Sequence, residues 1–158
     1  LIGVVYFEGE GRQDGWGKNV RISEYVNQEV IKAKREKQKV MIGGDFNGHI
    51  YELDGREDRN GRLVKLMAED NELELLNCTI EGMDRHTWER GDLQTHIDYV
   101  LMCEEGKNVL EAGYVTEIGE GVGIDHARVG VILKVGKKGQ NNKRERSSQE
   151  TQKVPDKC

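Results

Sequence analysis

The sequence is poor in cysteine and contains no long apolar run. Its 158 residues include three cysteines, at positions 78, 103 and 158, an odd number with no regular spacing. That pattern indicates a reducing compartment, in which we expect Cys78 and Cys103 to be buried thiols. No apolar stretch approaches the ~20 residues of a membrane-spanning helix, so we expect none. The chain starts at Leu1 without the basic segment of a signal peptide, and it has no internal repeat.

The charges are numerous and unevenly distributed. Charged residues make up 34% of the chain, but residues 136–158 carry seven Lys or Arg against three Asp or Glu, a net charge of +4. The whole chain carries −5, so residues 1–135 carry −9. A body this acidic is not typical of non-specific nucleic-acid binding, although acidic groups also build metal sites. We expect one domain over residues 1–135, followed by a disordered charged tail over residues 136–158.

The hydrophobic pattern predicts an α/β fold. Short apolar runs that read as strands cover residues 1–7, 39–44, 73–78, 86–88, 95–102, 109–118 and 127–135. Residues 18–38 and 60–71 have the spacing of amphipathic helices, the second capped by Asn60 with Leu63, Leu66 and Met67 inward. Glycines 119, 121 and 123 predict a mobile loop before the last strand. Strands and helices that alternate, then hairpin-connected strands, predict a mixed sheet.

Two polar side chains follow the second predicted strand. Gly43 and Gly44 allow a sharp turn and a close approach of the backbone, and Asp45 and Asn47 come next. Residues two apart in an extended segment point to the same side. The carboxylate supplies charge and proton chemistry, and the carboxamide supplies a neutral donor and acceptor. The pair suits a phosphoryl oxygen with a water or metal beside it, and an ordinary Asx-rich turn is the alternative.

A second constellation lies in the last third of the chain. Asp98 sits inside an apolar strand, where a carboxylate requires a partner, and Asp125-His126 precedes the final strand. A histidine held by a carboxylate is a common general acid/base unit. We therefore expect His126 within hydrogen-bond reach of Asp98. The alternatives are an Asp98 bonded to backbone amides and an ordinary turn at Asp125-His126. The spacing of the other histidines argues for no metal site.

These motifs, in this order, resemble those of the endonuclease/exonuclease/phosphatase superfamily. They read Gly44-Asp45-Phe46-Asn47, then Ile97-Asp98-Tyr99-Val100-Leu101, then Asp125-His126. The sequence at 54–61, at Leu75-Leu76-Asn77 and at Thr87-Trp88 is similar to the endonuclease domain of non-LTR retrotransposon endonuclease–reverse transcriptases. The resemblance covers the C-terminal half of that domain. It implies a partial four-layer α/β sandwich, with one mixed, mostly antiparallel sheet, helices beside it, and a second sheet largely missing.

The resemblance also implies an activity, the hydrolysis of a DNA phosphodiester with Mg²⁺ for retroelement target nicking. Asp45 would polarise the attacking water or protonate the leaving oxygen, Asn47 would hold the phosphate, and His126 oriented by Asp98 would stabilise the pentacovalent state. The implied Mg²⁺ ligands are Asp45 and Asp125, and Asp125 would help to orient the site. The implied substrate contacts are Tyr6, Asn47 and Thr87.

Three departures from the family pattern limit what is expected of this chain. The family's main metal-binding Glu belongs to a first half that the chain does not contain, and Gly9 stands where the family has Asn. Ile124 replaces a common serine. An inactive, decayed retroelement fragment and a phosphatase or phosphodiesterase acting on a non-nucleic-acid phosphoester are therefore the alternatives. The implied partners are DNA and either a reverse transcriptase domain or the missing N-terminal half. The implied location is intracellular, and nuclear for an active retroelement.

Overall fold

A computed structural model describes residues 1–118 and 124–134. The strands are β1 (Ile2–Tyr6), β2 (Met41–Asp45), β3 (Leu73–Leu75), β4 (Trp88–Arg90), β5 (Leu93–Thr95), β6 (Asp98–Cys103), β7 (Leu110–Val115) and β8 (Val129–Leu133). The helices are α1 (Gly15–Arg35), α2 (Tyr51–Asp54), α3 (Arg59–Asp70), α4 (Leu76–Thr79) and α5 (Glu104–Lys107). The predicted tail and the predicted glycine-rich loop lie outside the described residues.

The main sheet has four strands in the order β1-β2-β6-β3. β1 and β2 run parallel and are connected by α1, whereas β6 is antiparallel to both β2 and β3. Two further antiparallel pairs, β4-β5 and β7-β8, stand beside it. The predicted α/β architecture, with one mixed and mostly antiparallel sheet, is confirmed. Among the described helices, none has both the length and the apolar character needed to cross a bilayer.

The hydrophobic core lies between the sheet and the helices. Side chains of β6 alternate between the two faces, which explains the alternation in the sequence. Tyr99, Leu101 and Cys103 belong to the cluster packed under α1 and α3. Val100 and Met102 belong to a second, smaller cluster that includes side chains of β7 and β8. The sheet is therefore buried on the helix side, and β7 and β8 cover part of its other face together with Leu76 and Met83.

The side chains of β1 leave part of this second face open. Ile2, Val4 and Tyr6 are 71%, 88% and 54% exposed, although they are large and apolar or aromatic. A groove of about 420 Å³ runs from β1 to β8, with a mostly apolar lining that includes Val100 and Val129. We call the surface formed by Ile2, Val4, Tyr6 and this groove the open face.

Gly44 is the residue that allows β1 and β2 to approach each other. Its φ is +154°, and a Cβ added there would overlap the Val5 carbonyl group. A Cβ added to Gly43 would stand 3.5 Å from the Tyr99 carbonyl oxygen, an ordinary contact. Only the second of these two adjacent glycines is therefore required by the backbone.

Gly44→Ala is expected to lower the free energy of unfolding by more than ~2 kcal/mol, because the methyl group must push β1 away. The matched control Gly43→Ala is expected to stay within ~1 kcal/mol of the parent chain. Urea unfolding followed by circular dichroism measures both. Equal effects of the two substitutions would contradict the close-approach argument.

The start of α3 differs from the prediction. Asp58, not Asn60, is the N-cap, and its carboxylate accepts a hydrogen bond from Gly61 N at 2.8 Å. Asn60 is buried instead, where its Nδ2 donates to the carbonyl oxygens of Glu8 and Asn47, each at 2.9 Å. Leu66, predicted to point inward, is 48% exposed. The hydrophobic pattern did not reveal that polar residues hold the first turn of this helix.

The strand predicted over residues 95–102 is divided into β5 and β6. His96 N donates to the Asp54 carboxylate at 3.1 Å, and Ile97 N donates to Thr87 Oγ1 at 3.0 Å. Side chains therefore take backbone donors that a continuous strand would use for its ladder. The strand predicted over residues 73–78 also stops early, because the chain turns into α4 after Leu75.

The two described cysteines have different environments. Cys103 is buried, and its Sγ accepts a hydrogen bond from Val40 N at 3.1 Å. Cys78 is exposed, so the prediction of a buried thiol there is wrong. The cause is the turn into α4, which directs position 78 away from the sheet.

Candidate active site

The register of the main sheet brings two carboxylates together. Asp45, the last residue of β2, pairs directly with Asp98, the first residue of β6. Directly opposed residues of antiparallel strands project from the same face. Tyr6, the last residue of β1, pairs with Asp45 on its other side. Tyr6, Asp45 and Asp98 therefore lie at the termini of their strands, at one edge of the sheet.

Asn47 is held beside Asp45 by its own turn. Its φ is +43°, a left-handed conformation that Asn tolerates better than most residues. Its backbone N–H donates to Asp45 Oδ1 at 2.9 Å, and its Nδ2 donates to the Phe7 carbonyl oxygen at 2.9 Å. The Asx-type turn that was the alternative interpretation is therefore present, and it holds the side chains of Asp45 and Asn47 in place.

His126 meets Asp98, as expected from the sequence. The two side chains are joined by a 3.0 Å hydrogen bond between Nδ1 and Oδ2. Because an ionised carboxylate only accepts hydrogen bonds, His126 Nδ1 is the donor to Asp98, and Nε2 is the ring nitrogen left to face the site. The His126 side chain is 35% exposed and the Asp98 side chain 17% exposed, so Asp98 supports the ring from within.

Thr87 and Asn77 hold Asp98 from the buried side. Thr87 is fully buried, and its Oγ1 accepts hydrogen bonds from the backbone N–H groups of Ile97 and Asp98, each at 3.0 Å. Asn77 is also fully buried, and its Nδ2 donates to the Asp98 carbonyl oxygen at 3.2 Å. Its Oδ1 accepts from Val100 N at 2.9 Å, which extends the ladder of β6 beyond the end of β3.

Asp125 lies near the site, but its carboxylate points elsewhere. The segment is fixed to β4, where Glu89 N donates to the Asp125 carbonyl oxygen at 2.9 Å and Ala127 N donates to the Thr87 carbonyl oxygen at 2.8 Å. The Asp125 carboxylate accepts a hydrogen bond from the Trp88 indole at 3.1 Å. Trp88 thereby holds the residue preceding His126, a role that the sequence reasoning did not assign to it.

Asp45, Asp98 and His126 form the one group within residues 1–118 and 124–134 that offers three metal-binding side chains close together. One ligand atom of each lies within 4.8 Å of the other two. Burial raises the pKa of both carboxyl groups, and the neighbouring Asp98 charge further raises the pKa of Asp45. Two crowded carboxylates with raised pKa values are the chemistry that a divalent cation relieves, and their oxygens are the ligands that Mg²⁺ prefers.

The predicted site residues thus fall into two sets. Asp45, Asn47, Asp98 and His126 lie together at one edge of the sheet. Tyr6 is on the same edge, whereas the Thr87 hydroxyl is buried behind Asp98 and the Asp125 carboxylate is engaged by Trp88. His96, two residues before Asp98, belongs to a buried polar cluster with Asp54 that the spacing of the histidines did not reveal.

Solved structures with a similar fold include two nucleases and a 3′ phosphatase. The endonuclease domain of TRAS1, a telomere-specific non-LTR retrotransposon, matches 72% of this chain and 52% of its own with a TM-score of 0.56 and 21% identity. The 3′–5′ exonuclease NExo from Neisseria meningitidis matches 85% of this chain and 61% of its own with a TM-score of 0.68 and 15% identity. The 3′ phosphatase NExo from Neisseria, bound to a product DNA hairpin, gives the same coverage with a TM-score of 0.63 and 14% identity.

The other comparisons give no match. Neither a protein-family model nor a curated protein is similar to the chain at a significant level. The chain spans 52–61% of the length of the solved structures that it matches. At 14–21% identity the likeness concerns the fold. The chain therefore has a fold of the endonuclease/exonuclease/phosphatase type.

Proposed function

We propose that this chain carries the catalytic residues of a Mg²⁺-dependent phosphodiesterase that nicks DNA, as the endonuclease part of a non-LTR retroelement. The observation that carries the proposal is the meeting of Asp45, Asp98 and His126 at one edge of the sheet, with Asn47 beside them. Support comes from the resemblance of these motifs to the superfamily and from the likeness of the fold to the TRAS1 endonuclease domain.

We assign to His126 the stabilisation of the negatively charged phosphorane that forms during the reaction. Its Nδ1–H is engaged by Asp98, so Nε2 is the ring atom left to face a phosphoryl oxygen. A proton on Nε2 stabilises the developing negative charge, and the Asp98 carboxylate compensates for the positive charge of the ring. Thr87 and Asn77 keep Asp98 in place, so we assign Thr87 to positioning rather than to direct substrate contact.

We assign to Asp45 proton exchange with the attacking water or the leaving oxygen, and to Asn47 a contact with a phosphate oxygen. The raised pKa of Asp45 suits a carboxylate that exchanges a proton with the attacking water or the leaving oxygen. The Asn47 amide is held by the Phe7 carbonyl oxygen and keeps its second N–H for a phosphate oxygen. Mg²⁺ held by Asp45 and Asp98 would supply Lewis-acid stabilisation of the phosphoryl group. Tyr6 lies at the same edge and is assigned to the substrate side.

We assign the open face as the surface on which a second sheet layer packs. Its exposed side chains Ile2 and Val4 are apolar and lie on the strand next to the site, and the matched structures are longer than this chain. We call the chain joined at Leu1 to an N-terminal half of the same fold the two-layer form. In that form the added half supplies the further metal ligand that the family resemblance implies.

A phosphatase activity on DNA ends is the second candidate. One matched structure is a 3′ phosphatase with a product DNA hairpin, and its fold is as similar to this chain as that of the endonuclease. The same acid/base and phosphate-holding groups serve both reactions, because each transfers a phosphoryl group to water. Release of inorganic phosphate from a 3′-phosphorylated hairpin distinguishes this activity from nicking of a closed plasmid.

The proposal is tested by nicking of supercoiled plasmid in Mg²⁺ by the two-layer form. Asp45→Asn is expected to lower the single-turnover rate by at least ~100-fold, because it removes both a metal ligand and a proton carrier. Asp70→Asn is the matched control, because Asp70 is an exposed carboxylate at the end of α3. Nicking that persists in EDTA, or that is unchanged in Asp45→Asn, would contradict the proposal.

Metal binding by the chain itself gives a prediction that needs no catalysis. Mn²⁺ is expected to bind the parent chain and to broaden the amide signals of Asp45, Asp98 and His126 first. Asp45→Asn is expected to weaken this binding by about tenfold or more, since a carboxylate ligand is lost. Asp125→Asn is expected to leave the affinity within about threefold, because the Asp125 carboxylate is engaged by Trp88. Isothermal calorimetry measures each affinity, and a larger loss in Asp125→Asn would reinstate Asp125 as a ligand.

A further inference from the structure

A buried ionic cluster lies beside the proposed active site and takes no part in its chemistry. Asp54, at the end of α2, is its centre, and the Asp54 and His96 side chains are 5% and 3% exposed. The Asp54 carboxylate accepts hydrogen bonds from His96 Nδ1 at 2.8 Å and from Thr95 Oγ1 at 2.9 Å. His49 Nδ1 lies 3.0 Å from the same carboxylate. A carboxylate this deeply buried requires such partners, since an unpaired charge in the interior is strongly unfavourable.

The hydrogen-bond partners define the proton positions in this cluster. His96 Nδ1 faces the Asp54 carboxylate, and His96 Nε2 faces the Asp84 carbonyl oxygen at 2.9 Å. Both partners only accept, so both ring nitrogens donate and His96 is the cation of a buried ion pair. His49 Nε2 accepts from the Arg56 guanidinium at 2.9 Å, so its Nδ1 carries a proton, which faces both Thr95 Oγ1 at 2.8 Å and Asp54 Oδ2 at 3.0 Å. These contacts also hold the pKa of Asp54 well below its usual range.

The cluster connects the two segments that carry the site residues. Asp54 belongs to the segment that follows Asn47, and Thr95 and His96 lie three and two residues before Asp98. Two further bonds join the same segments nearby: Phe46 N donates to the Ile97 carbonyl oxygen at 2.8 Å, and the Tyr99 hydroxyl lies 2.7 Å from the Gly48 carbonyl oxygen. Asp54 is the only member of this junction that carries a negative charge and binds three side chains at once.

We propose that Asp54 is a positioning residue for the active site. Its carboxylate joins the segment that follows Asn47 to Thr95 and His96, just before the strand that begins with Asp98. It thereby holds Asn47 and the start of β6 in place around the Asp45–Asp98 pair that the sheet register brings together. Asp54 would thereby preorganise the site, because metal and phosphate ligation depend on side chains held within a fraction of an ångström. The consequence for metal binding rests on the proposed function, whereas the connection between the two segments does not.

The test uses Asp54→Asn in the full chain, with two readouts. The asparagine amide has nearly the volume of the carboxylate, but it lacks the negative charge that compensates for the positive charge of His96. Its NH₂ group would also face hydrogen-bond donors where the carboxylate accepted from them. We expect Mn²⁺ affinity to fall by roughly tenfold. We also expect amide chemical shifts to change at Asn47 and Asp98, beyond the immediate neighbours of position 54. Thr95→Val, which removes a single donor, is expected to give the same pattern of changes at smaller amplitude.

Asn71→Ala is the matched control for a buried polar deletion away from the site. Asn71 is 3% exposed, and its Nδ2 donates to the Met67 carbonyl oxygen at 2.9 Å. It is expected to lower the melting temperature without changing Mn²⁺ affinity or the signals of Asn47 and Asp98. Unchanged signals at both residues in Asp54→Asn and Thr95→Val would overturn the inference. If Asp54→Asn does not fold, the amide shifts of Thr95→Val test the inference alone. Absence of Mn²⁺ binding by the parent chain would overturn the proposed function. The amide shifts of Asn47 and Asp98 would then still test the connection between the two segments.

Discussion

His126→Ala is expected to lower the rate of plasmid nicking by the two-layer form by ~10³-fold, within the range ascribed to a positioned acid or base. The imidazole has a fixed orientation, because Nδ1 is bound to Asp98 and the backbone of residue 126 is bridged to Trp88. Removing the ring deletes the group assigned to the phosphorane and leaves Asp98 without its partner. The loss should appear in the single-turnover rate rather than in the affinity for DNA, because the charge that the ring stabilises develops during the reaction.

His126→Asn separates the two roles of the ring. The asparagine amide can donate to Asp98, but it has no group that carries a proton at the position of Nε2. We expect His126→Asn to be as slow as His126→Ala, with a melting temperature closer to that of the parent chain. Lys134→Ala, just beyond the far end of β8, is the control and should retain the parent rate. A His126→Asn protein that nicks at the parent rate would show that the ring only supports Asp98.

The sequence was sufficient to predict which side chains of the candidate site meet, where strand order and alternation determine it. Asp98 was identified as a carboxylate in an apolar strand, and its need for a partner led to His126, which the 3.0 Å contact confirms. Asp45 and Asn47 were identified by their position after a glycine pair at the end of a strand. In each case a local rule about burial or backbone geometry limited the choices for a single residue.

The polar interior could not be predicted in the same way. Asn60 was interpreted as a helix cap, but it joins three segments that are far apart in the sequence. Asp54, His96 and Asn77 look like ordinary loop or strand residues, and their partners are known only once the chain is folded. A hydrophobic pattern records which face of an element is buried. It does not record which buried polar groups meet, since those contacts depend on tertiary structure.

The open face gives the prediction that separates the chain from the two-layer form in solution. Ile2 and Val4 are exposed apolar side chains on an edge strand, next to a groove lined by Val100 and Val129. Such a surface promotes association. We expect the chain alone to self-associate at micromolar concentration, as measured by light scattering after size exclusion. Val4→Asp is expected to abolish this association without unfolding the chain, because the Val4 side chain is 88% exposed.

The same face governs activity. The chain alone is expected to nick plasmid weakly or not at all in Mg²⁺, because Asp45 and Asp98 bind the cation without the further ligand that would fix it in the position that catalysis requires. The two-layer form is expected to nick at least ~100-fold faster, since the added half supplies the remaining ligand and closes the site over the substrate.

Val4→Asp in the two-layer form is the matched control, because it leaves every proposed catalytic residue intact. By preventing the two layers from packing, it should return the nicking rate to that of the chain alone. Strong Mg²⁺-dependent nicking by the unassisted chain, lost in Asp45→Asn, would show that one layer is sufficient. Equal rates for the two-layer form and its Val4→Asp variant would show that the open face is not where the second layer acts.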